Sequence, residues 1–168
     1  MRFVLDKACE QAVWYGRGPL ETYPDCKEGN AIGCWEKNVE DFYFPYVLPQ
    51  ETGNHEDTRW AAFVTEAGNG ICIASDKEFS FGALHYTQEN LTQATHTNEL
   101  HRTENIQLSV DYAQHGLGSA SWGAECLEKD KLYPEPFTFT WKIFGIGKES
   151  LAERAEQYRR KKVRLPLF

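Results

Sequence analysis

The 168-residue chain has no apolar run of membrane-spanning length and no signal-like hydrophobic segment at its N-terminus. A helical membrane protein and export through a leader of its own are thereby set aside, and the expectation is a soluble, cytoplasmic protein. Its five cysteines (Cys9, Cys26, Cys34, Cys72, Cys126) make no Cys-x-x-Cys pair and no even set. That argues against a zinc or disulfide framework and leaves reduced thiols as the expectation. Positive charge is scarce: 18 Lys and Arg stand against 25 Asp and Glu, for a net charge of −7. Nucleic-acid binding needs clustered Lys and Arg, so no such partner is expected. The one basic run, Arg159-Arg160-Lys161-Lys162, reads as a solvated helix end. Gly16-Arg17-Gly18 lacks the third glycine and the following helix of a dinucleotide site. Internal repeats, linkers and low-complexity segments are also missing.

What the chain does have is aromatic rings, 14% of its residues, five of them tryptophan. A sugar-binding protein shows that composition, and so does a β-sandwich core. The length fits one domain with a sizeable core. Ala12 to Tyr15 reads as a strand closed by a Gly16–Pro19 turn, and residues 20–38 as a long surface loop. Trp60 to Thr65 and Ile71 to Ala74 form a hairpin across Glu66–Gly70. Phe79 to Tyr86, Ile106 to Asp111 and Phe137 to Ile143 alternate at period two, as strands do. Thr87 to Thr95 reads as a short helix capped by Thr87. Lys148 to Lys162 switches to helical spacing, with basic residues at its C-terminal end. The organisation expected is a β domain over 1–147 and a helical tail over 148–168.

The stretch around which these pieces gather is Phe44 to Trp60. Pro45 and Pro49 break its apolar first half, so it reads as an extended arm, since proline removes a ladder donor. Gln50, Glu51, His55, Glu56, Asp57 and Arg59 then crowd together beside apolar flanks. If buried, they must satisfy one another's hydrogen bonds.

Several spaced motifs, in order, resemble one family. They are Trp14-Tyr15-Gly16-Arg17-Gly18-Pro19, Glu21, Tyr23-Pro24-Asp25, Tyr46-Val47, Pro49-Gln50-Glu51 with Gly53, Asp57 and Arg59-Trp60. Phe81, Ala83-Leu84, Tyr86-Thr87, His96, Glu99-Leu100 and Gly116 to Trp122 continue the series, and Phe137 to Ile143 closes it. The whole is similar to the C-terminal, small-chain region of family 2 β-galactosidases, from Phe3 to about Ile143. The resemblance implies a mainly β fold: an antiparallel sandwich of the galactose-mutarotase-like type, truncated at its N-terminal side, with a C-terminal helix. It also implies partners: the remaining domains or a separate large chain, a galactoside substrate, and a possible homo-oligomer through an uncovered sheet edge. The family often uses Mg and Na ions bound elsewhere, so no cofactor or metal is expected in this chain.

Retaining glycosidases need two carboxylates about 5–5.5 Å apart. In this family both come from a barrel domain, one of them in a Gly-Asn-Glu context. Here the single Asn-Glu, Asn98-Glu99, stands in the sandwich pattern, so no catalytic residue is expected. Trp122 is the candidate substrate-binding residue. In well-known family members the tryptophan of the corresponding glycine-rich loop stacks on the sugar. This chain has Gly118-Ser119-Ala120-Ser121-Trp122 where those members have two aspartates before Ser-Trp. The plain alternative is a ring plugging the sandwich end. Glu51, Asp57 and Arg59 read as a structural ion-pair network rather than a catalytic cluster. His96 and His101 read as surface residues without metal partners, and His85 and His115 as hydrogen-bonded spacers. Two other functions stay open: a free-standing sugar epimerase using His85 with Glu51, by fold analogy alone, and an independent carbohydrate-binding module.

Overall fold

Period-two alternation becomes seven antiparallel strands in a single open sheet. The computed structural model describes residues 1–118, 125–147, 151 and 153. Among these, the strands are β1 (Arg2–Leu5), β2 (Gln11–Gly18), β3 (Ala31–Asn38), β4 (Asn54–Val64), β5 (Gly70–Leu84), β6 (Ile106–Asp111) and β7 (Trp141–Ile146). Their spatial order is β1-β6-β5-β4-β2-β3, with β7 also on β5. β5 organises the sheet. One edge pairs with β4, and the other is shared between β7 (opposite Gly70–Ser75) and β6 (opposite Ser80–Leu84). Among the described residues, helical structure is found in α1 (Gln88–Gln93), in 3-10 turns at Val39–Phe42, Thr97–Glu99 and Glu128–Asp130, and at Leu151 and Glu153. The mainly β, antiparallel fold class is thus observed, as one sheet of a β-sandwich fragment.

Because side chains alternate across a strand, each face has its own core. One face carries Trp14, Phe63, Ile73, Phe81, Ala83 and Leu108. Val39 and Phe42 of the first 3-10 turn and Leu91 of α1 cover it. The other carries a smaller cluster of Trp60, Ala62, Val64, Cys72, Ala74 and Ile146. His55 sits within the first cluster, its ring 4.5 Å from Trp14 and 4.9 Å from Phe42. Burial pushes its pKa down to about 3, with Lys37 adding to the effect, so it packs as a neutral ring.

Some expectations shift. Residues 31–38, read as loop, form β3, paired along its length with β2. Its side chains alternate only between exposed and half-buried, so no apolar pattern announced it. The turn read at Gly16–Pro19 begins inside β2, which runs on to Gly18. The polar cluster read as a crossing lies in β4 from Asn54 onward, with a register irregularity between His55 and Trp60. The strands read at 71–74 and 79–86 merge into one strand, β5, which ends at Leu84, before His85 and Tyr86. The closing strand begins at Trp141 rather than Phe137. α1 and its Thr87 cap, which accepts from the Asn90 N–H at 3.1 Å, and β6 stand as read. Of the 148–168 tail only Leu151 and Glu153 are described, both helical.

Candidate functional site: a polar corner at the root of a loop

Glycines in β2 let neighbouring parts of the chain close in. A Cβ on Gly18 would lie 2.7 Å from the Trp35 ring, and one on Gly16 would lie 2.6 Å from the Thr58 hydroxyl. Trp35 Nε1 donates to the Gly16 carbonyl at 3.2 Å, fixing β3 against β2. Between these glycines Arg17 donates through Nε to Asp57 Oδ2 at 2.6 Å. Its Nη1 reaches the carbonyls of Lys27 (3.1 Å) and Asn30 (2.9 Å). Lys27 Nζ takes the other Asp57 oxygen at 2.8 Å. Asp57 itself has φ 51°, a left-handed conformation that aspartate tolerates better than most residues. Burial alone would raise its carboxyl, but the hydrogen bonds from Arg17 and Lys27 outweigh it and hold the pKa below 3.8.

A second set of bonds continues from there. Glu21 accepts from the Thr52 hydroxyl (2.9 Å), the Gly53 N–H (2.7 Å) and the Tyr46 phenol. Gly53 has φ 77° and no room for a Cβ beside the Phe42 carbonyl at 2.9 Å. Asn54 donates to the Thr22 carbonyl (2.8 Å) and to Glu56 (2.9 Å), while Gln114 donates to Asn54 (3.1 Å) and Asp111 (3.3 Å). Burial raises the pKa of Glu56, and likewise of Glu51.

The chain leads through Gln114 to a loop root. Asp25 accepts from the N–H groups of Leu117 (3.2 Å) and Gly118 (2.7 Å), and Gly118 has φ 101°. Gly116 donates to the Asp130 carbonyl at 2.9 Å, and a Cβ there would meet both Cys126 and Asp25 within 3.0 Å. His115 Nδ1 accepts from the Leu132 N–H at 3.0 Å, so the ring proton rests on Nε2, 3.3 Å from Cys126 Sγ. The segment up to Gly118 and the segment from Glu125 onward are therefore tied to each other and to Asp25. Trp122 lies between them, outside the described residues.

The structure separates other residues singled out from sequence. Asp57 pairs with Arg17 and Lys27, whereas Arg59 pairs with Glu78 and donates to the Asp57 backbone carbonyl. The charged groups of the polar cluster draw mainly on partners outside it, with Arg59 to the Asp57 carbonyl as an internal bond, while His55 Nδ1 is buried without a partner. His85 Nε2 lies 2.9 Å from Glu10, not on Glu51. His96 and His101 are exposed. Glu99 caps its own turn by accepting from the Thr95 and His96 N–H groups. Sequence reasoning passed over Lys27, Gln114 and the role of Asp25. Only Asp25 carried a signal, as part of Tyr23-Pro24-Asp25. Among the described residues no helix is long and apolar enough to cross a membrane.

Comparison with known proteins matches the sequence that builds this site to one family. Residues 1–143 fit the model described as beta galactosidase small chain. The chain is 34% identical over 139 residues to a beta-galactosidase of Staphylococcus xylosus, covering 83% of this chain and 14% of that protein. It is 38% identical over 123 residues to Beta-galactosidase BgaC of Bifidobacterium adolescentis, covering 71% of this chain and 12% of that one. For the beta-galactosidase of Priestia megaterium the figures are 34% over 134 residues, 79% and 13%. The chain thus spans only 12–14% of the length of these relatives. With a matched region that takes in the β2 glycines, the Arg17–Asp57–Lys27 corner and the loop root, the chain belongs to the β-galactosidase small chain family.

Proposed function

We propose that this chain is an accessory β-domain of a retaining β-galactosidase acting on terminal β-D-galactosides, and that it supplies a binding surface rather than catalytic acids. The single observation that carries this is the loop root. Asp25, Gly116, Gly118 and His115 spend their polar groups on fixing the two ends of the segment that holds Trp122. Glycine and serine neighbours let such a segment approach a ligand closely, and an indole stacks well on the C–H face of a sugar. The carboxylates of the corner are already committed: Asp57 to two cations, Glu21 to three donors. The nucleophile and acid belong, on this reading, to the remaining domains or a large chain. A surface for that partner is at hand. Tyr112, Leu132, Tyr133 and Phe137 are exposed around an apolar groove, and among the described residues β1 pairs on one side only, with β6. Exposed apolar patches of this kind mark interaction sites.

The test is Trp122→Ala in the complete enzyme. Loss of a stacking platform should raise KM or weaken transfer to acceptor sugars by about tenfold, in line with a stacking contribution of about 1 kcal/mol or somewhat more, with the unfolding temperature near normal. Unchanged kinetics would remove Trp122 from the site.

A further inference from the structure

Three side chains far apart in sequence meet away from the polar corner. Glu10 precedes β2, Glu40 sits in the 3-10 turn Val39–Phe42, and His85 follows β5. One ligand atom from each lies within 4.8 Å of the other two. His85 Nε2 is 2.9 Å from Glu10 Oε2, and Glu10 Oε1 accepts the Glu40 N–H at 2.8 Å. The Val39 N–H also donates to the Glu10 carbonyl at 2.8 Å, so the turn and the start of β2 are bound together beneath the cluster. The imidazole is only 4% exposed, and its Nδ1 is buried without a hydrogen-bond partner. Nε2 is the nitrogen turned toward the carboxylates. Two carboxylates converge on this one buried ring, and among the described residues the cation paired with them is Arg102, on Glu40.

We propose that Glu10, Glu40 and His85 bind a first-row divalent transition metal such as Zn²⁺, Mn²⁺ or Co²⁺. Ligand atoms around such an ion at about 2.1 Å stand roughly 3.0–3.4 Å from each other. The Glu10–His85 pair is close to that spacing at 2.9 Å. Glu40, with 58% of its side chain exposed, is free to swing in as Arg102 releases it. An imidazole with two carboxylates favours these ions over Mg²⁺ and Ca²⁺, which take all-oxygen sets. The solvent side of Glu40 leaves room for water to complete the shell. A bound ion would clip the covering turn, the start of β2 and the end of β5 over the Trp14 core.

Titrating the purified chain with Co²⁺ reads this out, because the visible spectrum distinguishes nitrogen and oxygen ligands from thiolate. One equivalent should bind without a thiolate-to-cobalt charge-transfer band, which separates this site from the five cysteines. Glu40→Gln and Glu10→Gln should each weaken binding by at least about tenfold. Glu40→Gln alters an exposed carboxylate and leaves the fold intact, so it keeps the test valid if Glu10→Gln destabilises the chain. Absence of binding, a thiolate band, or binding unaltered by Glu40→Gln would overturn the assignment.

Discussion

The face around Trp14 and Phe81 and the corner around Arg17 and Asp57 share strands β2 and β4, yet they are held by different physics. On the face, rings and aliphatic side chains lose their water: Trp14, Phe63 and Phe81 are each fully buried. Such contacts are non-directional, and their strength follows area and packing. In the corner nearly every bond is directional and many are charged, with Asp57 taking 2.6 and 2.8 Å bonds from Arg17 and Lys27. Charged bonds of this kind add little net stability but fix geometry, because a misplaced partner leaves a desolvated charge. The face therefore decides whether the sheet forms. The corner fixes how β2, β4 and the Lys27–Asn30 segment meet, and Asn54 beside it holds Gln114 at the approach to the loop root.

Two substitutions sharpen that contrast. Phe81 touches Trp14, His55, Phe42 and Phe63. Phe81→Ala should cost about 3–5 kcal/mol in denaturant unfolding, the largest loss expected. A loss under 1 kcal/mol would mean the face is not the stabilising element. Asp57→Asn should cost less, about 2 kcal/mol at neutral pH, because asparagine keeps the left-handed backbone and loses only charge. Its pH dependence has a defined sign. A carboxyl held below its ordinary 3.8 in the folded state stabilises fully above that value and loses its contribution as pH falls through the folded pKa. The gap between wild type and Asp57→Asn should then stay constant from neutral pH down to about pH 5 and narrow in stronger acid. Half-buried Glu51, whose pKa is raised by burial and by charges other than Asp57, acts in the opposite sense in both proteins and cancels from the difference. A gap that widened in acid would contradict the Arg17–Asp57–Lys27 assignment.

The same division explains what could be read from the sequence. Ile106–Asp111 alternates because one side faces the core, so β6 was legible residue by residue. β3 was not, since its side chains stay partly wet and its place is set by pairing with β2 and by Trp35 lying over Gly18 and Gly33. β5 read as two strands because Asp76, Lys77 and Glu78 are exposed midway, which looks like a turn when charge is the only guide. In the corner, the presence of an ion-pair network was readable from Asp57 and its neighbours. Its partners were not, since the Arg17–Asp57 pair spans 40 positions and Lys27–Asp57 spans 30. Glu10 and His85, 75 positions apart, were hidden for the same reason.

The most direct measurement concerns Asp25, which touches the loop root and none of the core face. Asp25→Ala should lower stability by only about 1 kcal/mol. In the complete enzyme it should nevertheless impair KM or acceptor transfer in the same direction as Trp122→Ala, with the double variant no worse than Trp122→Ala alone. Wild-type kinetics for Asp25→Ala beside an impaired Trp122→Ala would contradict the claim that the loop root positions the segment carrying Trp122.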